Sequence, residues 1–143
     1  MLASGSELLA LIPQRPPMVM IDRLVSCDGK TTVSQVLIDQ ENIFISEGRF
    51  TSSGLMEAMA QTAAARTGWL LKKQADPKNK KAPIGVIGSI KNFKLHFQPV
   101  AGNIMTTTVE VQYELLQATI VLAKVEVEGR LAAGAELKIF LTE

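Results

Sequence analysis

The sequence predicts an α+β fold in which an antiparallel sheet wraps around one long, buried helix. The helix is predicted over Ser52–Lys73, a stretch without proline that is rich in the strong helix formers Ala, Leu and Met. This stretch is apolar on nearly every side, which is typical of a helix that is covered all round. Most of the chain after it alternates apolar and polar residues with a period of two, which indicates strands with one buried face.

The chain before the long helix is predicted to supply a short helix and a hairpin. A serine cap followed by leucines indicates the short helix, and prolines at positions 13, 16 and 17 end it. Asp28–Gly29 is a strong hairpin signal between two apolar runs. The predicted elements are a helix at Ser4–Leu11, strands at Met18–Ser26 and Thr31–Ile38, and a loop at Asp39–Thr51.

After the long helix the sequence predicts an exposed, lysine-rich loop at Gln74–Pro83 and then four strands in a meander. Small side chains along the helix would let the sheet approach its axis closely, so we expect Ala60, Ala63, Ala64 and Thr67 to be among its most buried residues. A sheet curled around one apolar helix is the hotdog fold, here a single domain over residues 1–143.

Composition narrows the classes of partner. The 15 basic and 14 acidic residues nearly balance, which argues against nucleic acid or an anionic membrane as the main partner. The single cysteine, Cys27, fits a reducing compartment. No apolar run is long enough to span a membrane, and the N-terminus lacks a signal pattern. The sequence therefore predicts a soluble, cytoplasmic protein without a metal site or cofactor.

Three motifs in the same order resemble those of the hotdog 3-hydroxyacyl-acyl-carrier-protein dehydratases. Leu11–Asp22 (LIPQRPPMVMID) looks like the family's L-P-H-R-x-P opening, and Leu55–Ala63 (LMEAMAQTA) is similar to its helix signature L-x-E-A-x-A-Q. Phe93–Gly102 (FKLHFQPVAG) resembles its later F-x-x-P-V-x-P-G-D turn. The short helix approach, with Glu47–Gly48–Arg49 before the cap, is closest to the dehydratase-like proteins of aryl-polyene biosynthesis.

The resemblance implies a reaction and one of its two catalytic groups. In the family, a histidine in an H-F-P-G loop removes the proton beside the thioester carbonyl, and a helix carboxylate helps the hydroxyl leave as water. Glu57 matches the carboxylate. The H-F-P-G loop is absent, since residues 47–50 read EGRF, and Gln14 stands where the family has its other early histidine.

The residues themselves leave two interpretations of Glu57 open. A glutamate in the first turn of a helix is favoured by the helix dipole alone. A carboxylate among apolar neighbours is also suited to acid–base chemistry, and with the resemblance this is the hypothesis we adopt. The candidate substrate contacts are Gly54 through its backbone N–H, Gln61, Gln14 and Arg49.

Two of these candidates, and the only histidine, have competing interpretations. Gln61 lies one turn after Glu57 and is predicted either to position Glu57 or a water, or to be a satisfied structural amide. Arg49 is predicted either to contact a phosphopantetheine phosphate or to pair with a nearby carboxylate. His96 is predicted to point outward from its strand rather than to act as a base, because Leu95 and Phe97 occupy the opposite face.

Three functions remain open at this point. The first is dehydration of a 3-hydroxyacyl thioester, carried by acyl carrier protein or coenzyme A, in fatty-acid or polyene biosynthesis. The second is thioester hydrolysis by an acyl-thioesterase, and the third is a non-catalytic acyl-binding subunit that completes an active paralogue. We expect a homodimer or larger assembly, or a heterodimer with a paralogue, because one sheet around one helix leaves open edges.

Overall fold

A computed structural model of the protein describes residues 1–73 and 84–142, so the loop predicted at Gln74–Pro83 lies outside the described residues. The long helix, α2, spans Ser52–Lys73 as the sequence predicts, and a short helix, α1, covers Gly5–Leu9. The strands are β1 (Ala3–Ser4), β2 (Arg23–Cys27), β3 (Thr31–Leu37), β4 (Ile45–Ser46), β5 (Arg49–Phe50), β6 (Ile84–Leu95), β7 (Ile104–Leu115), β8 (Ala118–Val127) and β9 (Arg130–Thr142).

Seven of the described strands form one antiparallel sheet in the order β1-β2-β3-β7-β8-β9-β6. The predicted meander is correct for β7, β8 and β9 but wrong for β6, which pairs with β9 at the edge of the sheet. The alternating pattern of a strand specifies which face is buried, but it does not specify which strand lies beside it.

Helix α2 lies against the apolar face of this sheet and forms the main core with it. The larger side chains of the helix meet the inward residues of the central strands, where burial of apolar surface stabilises the fold. Fully buried members of this core are Leu55, Met59, Met105, Val109, Val121, Val125 and Leu137. The arrangement is the α+β architecture that the sequence predicts.

The side of α2 that faces the sheet differs from the prediction. Ala63 is buried as expected, but Ala60, Ala64 and Thr67 are only half-buried. The buried residues include Leu55, Ala58, Met59 and Thr62. Because α2 is apolar all round, its pattern does not single out one face, and the bulkier Leu55 and Met59 occupy the core because they bury more apolar area.

The turn between β2 and β3 is held against both α2 and β7. Asp28 Oδ1 accepts hydrogen bonds from the backbone N–H groups of Thr31 and Lys30 at 2.7 and 3.0 Å, and these bonds lower the pKa of Asp28. Arg66 donates twice to the carbonyl of Gly29 and also contacts Glu114 Oε1 at 2.8 Å. These contacts fix the hairpin relative to the helix.

The segment predicted as a loop before α2 contains a second, small hairpin. Strands β4 and β5 pair through Ile45 with Phe50 and Ser46 with Arg49. The two residues between them, Glu47 and Gly48, have φ values of 52° and 77°. Positive φ at both central residues is the requirement of the tightest hairpin turns, and glycine adopts it without strain.

No helix of residues 1–73 and 84–142 has both the length and the apolar character needed to cross a bilayer.

The close approach of the N-terminal segment to α2 gives a test of the packing. A Cβ at Gly68 would overlap the backbone carbonyl of Leu11. Although alanine is the better helix former, we expect Gly68→Ala to lower the free energy of unfolding by about 1–3 kcal/mol, because a backbone group cannot rotate aside. Urea unfolding followed by circular dichroism measures this change.

Gly134→Ala is the matched control for Gly68→Ala. A Cβ at Gly134 would lie 3.6 Å from the carbonyl oxygen of Ala123, an ordinary contact, so we expect the stability to change little. Equal stability of Gly68→Ala and the wild-type protein would contradict the tight packing of Leu11 on the helix.

Candidate acid–base site

The start of α2 is fixed by two aromatic side chains packed against Gly54. A Cβ at Gly54 would lie 2.5 Å from Phe50 Cζ and 2.7 Å from Phe44 Cβ, so no other residue fits there without rearrangement. The rings of Phe44 and Phe50 meet edge to face, with centroids 6.4 Å apart. The glycine therefore has a packing reason, and its predicted contact with a thioester oxygen stays a prediction.

Gln61 is fully buried, and its side-chain amide makes three hydrogen bonds. Its Oε1 accepts from the backbone N–H of Met20 at 2.6 Å, while its Nε2 donates to the carbonyl of Met18 at 2.8 Å. The second hydrogen of Nε2 is donated to Glu57 Oε2, with 2.9 Å between the two heavy atoms. The structure thus connects Gln61 to Glu57, one of the contacts that the spacing of four residues predicts.

Glu57 is half-buried on α2 and presents its carboxylate beside this amide. Oε2 is the oxygen that accepts from Gln61, and no donor contacts Oε1 in the part of the chain that the structure describes. The carboxylate therefore has one oxygen held by a neutral donor and one available to a substrate group. This is an arrangement suited to giving or taking a proton.

The contacts of Gln61 also explain why the predicted strand Met18–Ser26 begins later, at Arg23. The Gln61 amide bonds to the N–H of Met20 and the carbonyl of Met18, and so replaces the neighbouring strand that would otherwise pair there. Met20 is further held by Asn42, whose Nδ2 lies 3.3 Å from Met20 Sδ. The sequence did not predict that the N–H of Met20 and the carbonyl of Met18 belong to the site. A pattern of side chains gives no information about which backbone groups bind a distant side chain.

The remaining predicted substrate contacts are not brought into contact with Glu57. Gln14 has a buried Oε1 that lacks a hydrogen-bond partner among the described residues. Arg49 is exposed on β5, opposite Ser46. Both stay predictions as substrate contacts. The neighbouring Arg15 donates to three backbone carbonyls, those of Leu9, Ile12 and Gln14, which assigns it a structural task.

His96 is exposed as predicted, but not for the predicted reason, because β6 ends at Leu95 and Leu95 is itself exposed. Its backbone N–H donates to the carbonyl of Ala132 at 2.7 Å, just beyond the end of β6.

Comparison with known proteins identifies the family. The model of the ApeP-like family, described as ApeP dehydratase, matches residues 6–143. The chain belongs to the ApeP-like dehydratase family. The resemblance drawn from the three motifs is thereby confirmed.

Two relatives are described as 3-hydroxyacyl-[acyl-carrier-protein] dehydratase FabZ. The protein from Ruminiclostridium cellulolyticum is 26% identical over 147 residues, which covers 98% of this chain and 98% of the relative. The protein from Bartonella quintana is 31% identical over 147 residues, which covers 96% of this chain and 88% of the relative. The predicted class, a protein like the 3-hydroxyacyl-acyl-carrier-protein dehydratases, is confirmed.

A solved structure of similar fold is the dehydratase heterocomplex ApeI:P from Xenorhabdus doucetiae. It matches with a TM-score of 0.84 at 14% identity, and the match covers 95% of this chain and 91% of that chain. At this level of identity the likeness concerns the fold, and the hotdog fold predicted from the sequence is confirmed.

Proposed function

We propose that this chain takes part in the dehydration of a 3-hydroxyacyl thioester, with Glu57 as the group that protonates the leaving hydroxyl. The observation that carries the proposal is the half-buried Glu57 carboxylate, held through Oε2 by the buried Gln61 amide near the start of the central helix. Its membership of a dehydratase family supports the same reaction.

The reaction needs two proton-handling groups. A base takes a proton from C2, beside the thioester carbonyl, and the C2–H electrons form the C2–C3 double bond. The C3–O bond breaks as Glu57 gives its proton to the hydroxyl, so that water and a 2-enoyl thioester leave. Glu57 then holds the negative charge until a proton returns from the base.

No histidine is among the described residues that contact Glu57, so the base has to come from elsewhere. Its only histidine, His96, is exposed and outside the contacts of Glu57. We propose that a second subunit bearing a histidine completes the site. The similar ApeI:P structure is a heterocomplex, which supports a paralogue as that subunit. The relatives act on acyl-carrier-protein thioesters by name, which supports the same carrier here.

The helix side that carries Glu57 supports a subunit boundary at this place. Met56, Glu57, Ala60, Ala64 and Thr67 follow helical spacing along one side of α2, and all are half-buried in the single chain. Small side chains on a partly uncovered helix allow another chain to approach. The proposed acyl site then lies between subunits, beside Glu57.

The free edge of the sheet leads to a prediction about assembly. Strand β6 is 12 residues long and, within the described residues, pairs along one edge only. An unpaired edge of this length is a template for another strand. We therefore expect the isolated protein to sediment as a dimer or larger species at tens of micromolar. A monomer at that concentration in analytical ultracentrifugation would argue strongly against self-assembly.

A mass-spectrometric assay tests the proposed reaction. The protein, alone and mixed with a histidine-bearing dehydratase subunit whose own helix carboxylate is replaced by glutamine, is incubated with a 3-hydroxyacyl and with a 2-enoyl thioester of acyl carrier protein. Loss or gain of one water on the carrier supports a dehydratase. Release of free acid would favour a thioesterase instead, and binding without any chemical change, alone or mixed, would favour an acyl-binding subunit.

A further inference from the structure

The orientation of the Gln61 amide is determined by the backbone around it. Its oxygen faces the N–H of Met20, and its nitrogen faces the carbonyl of Met18. Turning the amide by half a rotation would set oxygen against oxygen and N–H against N–H at these two places. Gln61 is fully buried, so water cannot compensate for the lost bonds. One orientation is therefore strongly favoured.

This orientation has a consequence for the neighbouring carboxyl group. Nε2 has two hydrogens, one committed to Met18 and the other pointing at Glu57 Oε2. A proton on Oε2 would turn this oxygen into a hydroxyl, which is a weaker acceptor for that N–H than a carbonyl oxygen. A proton on Oε1 leaves Oε2 as the carbonyl oxygen that accepts from Gln61. The two oxygens of Glu57 are therefore not equivalent.

We infer that Gln61 is a positioning residue that assigns separate tasks to the two carboxyl oxygens of Glu57. Oε2 is the anchored oxygen, and Oε1 is the oxygen that carries and transfers the proton. This inference rests on the proposed role of Glu57 and deepens it. Of the roles predicted for Gln61, it favours the positioning of Glu57 over a contact with the substrate, since an amide with both hydrogens donated inside the protein has none left for the substrate.

Infrared spectroscopy tests the anchored oxygen without any need for turnover. The C=O band of protonated Glu57 is identified as the difference between the wild-type protein and Glu57→Gln, at the lowest pH that preserves the circular dichroism spectrum. Because a carbonyl that loses a hydrogen bond absorbs at higher frequency, we expect Gln61→Leu to move this band upward. A band that stays in place would overturn the inference. The inference would also be overturned if no band of protonated Glu57 is found at any pH at which the protein remains folded.

The chain offers a matched control for the infrared experiment. Gln112 is exposed on β7 and donates to Glu110 Oε1 at 3.4 Å, so it is a second Gln–Glu pair. Gln112→Leu makes the same chemical change away from the site and is expected to leave the Glu57 band unmoved. Gln61→Met, which has a flexible side chain of similar length, replaces Gln61→Leu if that variant does not fold.

Steady-state kinetics separate positioning from a purely structural role. A misaligned proton donor lowers the rate of the chemical step, so we expect Gln61→Met to reduce kcat by about 10- to 100-fold and leave KM nearly unchanged. A raised KM with unchanged kcat would instead make Gln61 a substrate contact and overturn the inference. If the infrared band moves but no turnover occurs even in the wild-type assembly, the Gln61 geometry stands and the proposed function fails.

Discussion

Glu57→Gln is expected to slow dehydration and hydration by the assembly that contains this chain by at least about 100-fold. The amide keeps the shape of the side chain but cannot give up a proton to the leaving hydroxyl. Positioned acid or base groups contribute about 10²–10⁴ in rate, so the turnover rate should fall by about this factor relative to the wild-type protein. The measurement is the rate of water loss from a 3-hydroxyacyl carrier-protein thioester, followed by mass spectrometry.

Two controls make the loss of activity interpretable. In Glu57→Gln the carbonyl oxygen of the introduced amide can still accept from Gln61 Nε2, so the variant should keep the circular dichroism spectrum and unfolding midpoint of the wild-type protein. His96→Ala changes the only histidine, which is exposed, and is expected to leave turnover nearly unaltered. Turnover that stays unchanged in Glu57→Gln would show that the site is wrongly assigned.

The fold was predictable wherever local pattern determines structure. The helix Ser52–Lys73 follows from its composition and has the predicted bounds, because helix formation depends on residues a few positions apart. The strand that lies beside β6 was not predictable in this way, because the alternation of apolar and polar residues is the same whichever strand is its neighbour. The face of α2 that meets the sheet was also missed, because a helix that is apolar all round carries no directional signal.

In the candidate site, too, the sequence predicted the local contact but not the contacts between distant parts of the chain. Glu57 and Gln61 are one helical turn apart, so their contact is a local property of α2. The bonds from Gln61 to Met18 and Met20 span more than 40 positions and depend on the way the N-terminal segment crosses the helix. No side-chain pattern records such backbone partners. The orientation of the Gln61 amide therefore required the three-dimensional structure.

The second large effect is expected from combining this chain with a histidine-bearing subunit of the FabZ type. If the base comes from that subunit and the acid is Glu57, this chain alone lacks the base, whereas the partner also carries a helix carboxylate of its own. We therefore use a partner variant whose own helix carboxylate has been replaced by glutamine, which leaves it dependent on Glu57. Adding this chain should raise turnover by about 10²–10⁴ over either protein alone, the contribution of one positioned proton-transfer group.

The controls use the same mixture and change only this chain. Glu57→Gln should bind the partner equally well in sedimentation experiments and yet fail to restore turnover, whereas His96→Ala should restore it fully. Restoration by Glu57→Gln would exclude a shared site, because the partner would then be working without the carboxylate of this chain.

Because the half-buried side of α2 holds Glu57, Ala60 and Ala64 together, Ala60→Arg should block both association and restoration. A mixture that associates and turns over normally with Ala60→Arg would place the subunit boundary elsewhere on the molecule.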